Sequence, residues 1–164
     1  MNRIAVFAFV AVVIVAVAVA ADFYVDHELN SPEFILAQQK RCAKQTERVV
    51  AGSGWKQSNS PVNGTVASYT DHYNARLGRC LILFKYIVND MATKDTRKSF
   101  TLVDAFRQAT YAEYFEADLP GFNPLVSTCR LTIPSEKPVV CHSREEWNRL
   151  IKPYIETGAP SKWN

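Results

Sequence analysis

The sequence predicts an α+β domain: an antiparallel four- to five-stranded meander sheet with an N-terminal and a C-terminal helix packed on one face, and two disulfides. Three observations predict it. Five stretches rich in Val, Ile, Thr, Tyr and Phe follow one another between Val66 and Ile133, joined by short polar links that favour antiparallel neighbours. Helix-period apolar patterns flank that region on both sides. Cys42, Cys80, Cys129 and Cys141 give an even cysteine count, which reads as two bridges in an oxidising compartment.

The chain opens Met1-Asn2-Arg3 and then runs without a charge from Ile4 to Ala21. Arg3, the apolar run and the small residues Ala18-Val19-Ala20-Ala21 have the layout of a signal peptide over 1–21, with cleavage expected after Ala20 or Ala21. An uncleaved anchor is the alternative, because the run is near the roughly 18 residues that can span a bilayer. Arg3 stays on the cytoplasmic side in either case, so the remainder is expected to be periplasmic or secreted. A membrane is a partner only if the leader is kept.

About 140 residues remain, enough for a single domain over 22–158 with a flexible tail at 159–164. Loss of Arg3 with the leader lowers the formal charge from +3 to +2. Such a surplus, scattered over Lys40, Arg41, Lys94, Arg97, Lys98 and Lys152, excludes the clustered phosphate contacts of a nucleic-acid protein. The cysteines lack the close spacing of a zinc site, and no C-x-x-C is present, so neither a metal nor a cofactor is expected. Of the three possible pairings, Cys42 with Cys80 and Cys129 with Cys141 is favoured, because each joins neighbouring elements.

Ser31 as N-cap, Pro32 in the first turn and Glu33 beside the helix dipole start the first helix, expected to run to about Val50. Ile35, Cys42 and Val49, with Leu36 and Ala43 beside them, form its apolar stripe. Gly52, Ser53 and Gly54 end it. Residues 53–65 read as a turn-rich connector; Asn63-Gly64-Thr65 matches a glycosylation sequon, but a tight Asn-Gly turn is the preferred reading.

The strands are placed at Val66 to Asn74, Arg79 to Val88, Ser99 to Phe106, Tyr111 to Ala117 and Leu125 to Ile133. In the second, Cys80, Ile82, Phe84, Tyr86 and Val88 alternate with Leu81, Leu83 and Ile87, and apolar residues on both faces mark a central strand. Asp104 falls on the apolar side of the third, where it is expected near the strand end and solvated. Ser143-Arg144-Glu145-Glu146 is a capping box, followed by Trp147, Leu150, Ile151, Tyr154 and Ile155 at helical spacing. Pro153 inside that pattern predicts a kink or a break.

Asp71-His72-Tyr73-Asn74 is the densest polar and aromatic cluster, but successive strand residues point to opposite faces, so Asp71 and His72 are no adjacent acid–base pair. No G-x-S-x-G elbow accompanies His72. His27 and His142 stand apart from it and make no ligand set. Glu113, Glu116 and Asp118 read as an acidic edge on an exposed strand. If the aromatic side chains of the sheet share a face away from the helices they form a binding surface, with His72, Tyr73, Asn74, Tyr111 and Tyr114 as its candidate residues and no catalytic residue assigned.

The helix carrying Cys42, the run from His72 to Cys80 and the segment from Cys141 to Trp147 resemble small exported bacterial proteins of unassigned function with paired cysteines. That resemblance implies the compartment and the disulfides, and no activity. The expected function is noncatalytic binding of a protein or envelope component by an exported domain, monomeric and without nucleic acid. The alternatives are a small periplasmic hydrolase pairing His72 with Asp71 or Asp104, and a membrane-anchored envelope factor.

Overall fold

The computed structural model describes residues 31–60, 64–134 and 136–156. The leader, His27, Asn63 of the sequon and the tail 159–164 lie outside the described residues. The chain divides into two compact units, Met1–Gln38 and Gln39–Asn164.

Helix α1 spans Pro32–Gly52, and the Ser31 hydroxyl accepts the Phe34 N–H at 3.2 Å as its cap. Its buried side chains are Cys42 and Thr46, with Val49 packed beside them; Leu36 and Ala43, expected on that stripe, are exposed. The spacing i, i+4, i+7 defines a narrower seam than the sequence suggested.

Among the described residues seven antiparallel strands follow in spatial order equal to chain order: β1 Ser58–Ser60, β2 Thr65–Asn74, β3 Arg79–Asn89, β4 Thr96–Asp104, β5 Ala109–Asp118, β6 Leu125–Leu131 and β7 Val139–Val140. The five long strands are the predicted meander. The two additions are short flaps, β1 pairing with Thr65 to Ala67 and β7 with Arg130 and Leu131. Gly64, at φ +65°, makes the close approach at one end of the sheet: its carbonyl accepts the Asn89 N–H at 2.7 Å.

The helices lie on opposite faces of the sheet, which corrects the expectation of one shared face. Alternation along β3 makes the point: Leu81 and Leu83 pack with Trp147, Ile151 and Tyr154 of α2 (Arg144–Ile155), whereas Cys80 and Ile82 pack with Cys42 of α1. A strand apolar on both faces needs cover on both, and each helix supplies one. The α2 side holds the larger core, in which Phe100, Leu102, Tyr114 and Leu131 are buried.

Both predicted disulfides are present. Cys42–Cys80 ties α1 to β3, and Cys129–Cys141 ties β6 to the segment entering α2. The α2 cap is a variant of the box: the Ser143 hydroxyl accepts the Glu146 N–H at 3.2 Å, while the Glu146 carboxylate accepts from the N–H of His142 at 2.8 Å, one residue before the cap. The helix runs through Pro153 and stops two residues later, at Ile155, so the proline does not break it. Among the described residues no helix is long and apolar enough to cross a membrane.

Candidate functional site

The candidate residues do not assemble into one surface. Tyr111 and Tyr114 are buried in the α2-side core, at 2% and 1% exposure, so they cannot form part of an exposed binding face. Tyr114 lies 5.5 Å from the Trp147 ring, and its hydroxyl donates to Glu116. Tyr111 owes its position to a bulge: Leu102 pairs with Ala112 but Val103 with Thr110, which leaves Tyr111 unpaired and turned toward Asp104. Asn74 is also buried and acts as a clamp, its amide donating to Pro153 O at 2.9 Å and accepting from Leu77 N at 3.0 Å. Only His72 and Tyr73 remain partly exposed, and they project to opposite faces of β2.

Asp104 is fully buried, contrary to the expectation that it is solvated. Its Oδ1 accepts the N–H groups of Phe106 and Arg107 at 2.9 and 3.1 Å, and its Oδ2 accepts the Tyr111 hydroxyl at 2.9 Å. The Arg79 guanidinium adds a cation at 3.8 Å. A carboxylate so furnished closes the β4–β5 turn and satisfies the rule that buried charge needs partners. His72 hydrogen-bonds to neither Asp71 nor Asp104, and burial, partly offset by Asp71, holds its imidazole below the ordinary value. Leu81 stands between His72 and Asp104 in the cross-strand row, which sets the two Cα atoms about 10 Å apart. The geometry required of a His–Asp base is therefore not formed.

The acidic residues of β5 are not an edge, because β5 lies between β4 and β6. Glu116 is buried, with Lys98 Nζ at 2.6 Å. Burial alone would raise its carboxyl, but the hydrogen bonds from Lys98 and Tyr114, with Arg144 nearby, hold it below the ordinary value. Glu113 accepts from Arg130 Nε at 2.8 Å on the opposite face. Arg144 stacks 4.1 Å above the Phe100 ring, and its buried Nε has no partner.

A surface that the sequence reading did not single out lies on the α1 side. There α1 covers Cys80 and Ile82 of β3, but among the described residues no helix lies over the same face of β4 to β6. Tyr86, Ser99 and Phe115 form one cross-strand row, with Tyr86 46% and Phe115 36% exposed. The short serine between two aromatic residues leaves a depression of about 260 Å³, rimmed by Arg97, Asp90 and Asp95. The backbone N–H groups of Thr93 and Ala92 hold the Asp90 carboxyl below its ordinary value, so the rim is charged at neutral pH. The signal that could have found this row is parity: Tyr86 shares a face with Cys80, and the helix stripe near Cys42 is too short to reach across all strands.

A second depression, of about 250 Å³, lies at the other end of the sheet between Arg76, Arg79, Tyr111 and Glu136. Its charges are matched internally. Arg76 pairs with Glu136 at 3.2 Å and lies over the Tyr154 ring, and the Tyr154 hydroxyl donates to Glu136 at 2.7 Å. Among the described residues no cluster of His, Cys, Asp or Glu is placed to hold a metal ion. The two disulfides suit an oxidising compartment. Comparison with protein-family models, curated proteins and solved structures finds no match to this chain.

Proposed function

We propose that this chain is an exported, periplasmic or secreted domain that binds a protein or envelope component without catalysis, through the open α1-side face of its sheet. The observation that carries the reading is the Tyr86–Ser99–Phe115 row: two exposed aromatic side chains about 10 Å apart across one short residue, with charges of both signs at the rim. Aromatic residues give contact area at low entropy cost, and a mixed-charge rim sets orientation. The leader over 1–21 and the two disulfides support the compartment.

The test is affinity isolation from envelope extract with wild type, with Tyr86→Ala/Phe115→Ala, and with Leu36→Ala as a control elsewhere. A component captured by wild type and Leu36→Ala but lost from the double variant supports the reading. Identical capture by all three overturns it. Mass spectrometry of the N-terminus separates a cleaved domain from an anchored one.

A further inference from the structure

We propose that the outer edge of β2, from Ser68 to Asn74, is a docking site for an extended peptide strand that presents a basic residue opposite Asp71. This site is independent of the open sheet face, since it is built from backbone groups at the rim of the sheet.

β2 has ten residues, and β1 pairs with three of them, Thr65 to Ala67, so the remaining seven have no strand on their outer side among the described residues. Just before β1, the Trp55 ring lies on the α1-side face, 5.5 Å from Tyr69 and 5.4 Å from Phe84. In an antiparallel ladder every second residue of an outer strand directs its N–H and C=O away from the sheet, and such groups accept an added strand.

Of the devices that normally blunt such an edge, Ser68 to Tyr73 carries one charge, Asp71, while Asn74 is buried against the last turn of α2. The segment has no Lys, no Arg and no Pro, and its seven pairs with β3 run without a register shift, whereas the β4–β5 and β5–β6 pairs each carry one. Its sequence, Ser-Tyr-Thr-Asp-His-Tyr-Asn, holds three strand-favouring residues, Tyr69, Thr70 and Tyr73.

Asp71 fixes the chemistry of the occupant. It is the one carboxylate on this edge, is exposed, and forms no ion pair among the described residues. A Lys or Arg directly across an added strand would stand about 5 Å away between Cβ atoms, and opposite charges there are favourable. A second copy of β2 cannot supply that cation, because the segment contains none. The site therefore favours a different chain.

The test uses the intact, fully oxidised chain and blocked heptapeptides that alternate threonine and valine around a central lysine or glutamate. Amide exchange followed by NMR is expected to show new protection confined to alternate residues of Ser68 to Asn74. The lysine peptide is expected to bind about three- to tenfold more tightly than the glutamate peptide. Asp71→Lys should reverse that order, and backbone N-methylation of the peptide should abolish binding. Three results would each overturn the proposal: protection of these amides in the monomer before peptide is added, since the edge would already be covered; concentration-dependent dimerisation with the same protection; and no protection at millimolar peptide.

Discussion

The Asn74 side-chain amide donates to the carbonyl of Pro153 at 2.9 Å, so the end of β2 is pinned to the last turn of α2. A carbonyl in the final turn of a helix has no partner within the helix, and here the neighbouring strand provides it. The Asn74 oxygen also receives the Leu77 N–H at 3.0 Å and so shapes the β2–β3 turn. Replacing Asn74 with Ala strips partners from both groups and is expected to cost about 2 kcal/mol in urea denaturation. Asn74→Asp keeps the acceptor for Leu77 but sets a buried carboxylate oxygen against the Pro153 carbonyl, so it should cost at least as much as Asn74→Ala.

Gly64 and Gly78 separate two reasons for a glycine. Both have positive φ, +65° and +59°. A Cβ on Gly64 would run into the Asn89 carbonyl oxygen, whereas nothing lies within 4 Å of the corresponding position on Gly78. Gly78→Ala should therefore cost only the left-handed conformation, about 1 kcal/mol. Gly64→Ala adds a backbone clash and should cost at least about 3 kcal/mol in the same denaturation series. Equal losses would show that the loop at Asn89 yields freely.

The two bridges should differ in worth by the length of chain they close. Cys42–Cys80 spans 38 residues and Cys129–Cys141 spans 12. Chain entropy then gives about 4 and about 3 kcal/mol, a difference near 1 kcal/mol. Paired Cys→Ala variants, Cys42→Ala/Cys80→Ala and Cys129→Ala/Cys141→Ala, measured by thermal unfolding, are expected to rank in that order.

The long strands were legible because alternation and short polar links encode them locally, and each observed strand begins and ends within a few residues of its expected position. The α2 seam was legible for the same reason, from Trp147, Ile151 and Tyr154. Which face a helix covers is not local information: the link from α1 to β2 allows either side, and the apolar residues on both faces of β3 held the answer only once two-sided cover was demanded. Tyr111 failed as a binding candidate at the bulge beside Leu102, which reverses its parity relative to the strand's own alternation, whereas Tyr114 and Asn74 are buried against α2. Asp104 was misjudged because its donors come from the turn backbone and from Tyr111, none of which has a sequence signature. β1 and β7 were missed because two or three residues are too few to show a period.

Two groups should give the stability profile two steps in acid. Burial lowers the His72 pKa from its ordinary 6.5, so between 6.5 and its folded value the unfolded chain binds more protons than the folded one. That contribution is complete above pH 6.5 and is lost as pH falls through the folded pKa. Glu116, held below its ordinary 4.5 by Lys98 and Tyr114 against the opposing effect of burial, has the same sign lower on the scale: its contribution is present above 4.5 and disappears as pH falls through its folded pKa. His72→Gln is expected to flatten the profile just below pH 6.5 and leave the limb below 4.5 intact. Glu116→Gln should do the reverse, and should also cost about 2 kcal/mol at pH 7 because Lys98 loses its counter-charge while the Tyr114 hydroxyl keeps an acceptor. Urea denaturation of both variants from pH 3 to pH 8 measures the two steps separately. A wild-type profile that is flat from pH 5 to pH 6.5 would mean that the His72 imidazole meets enough solvent to titrate alike in both states.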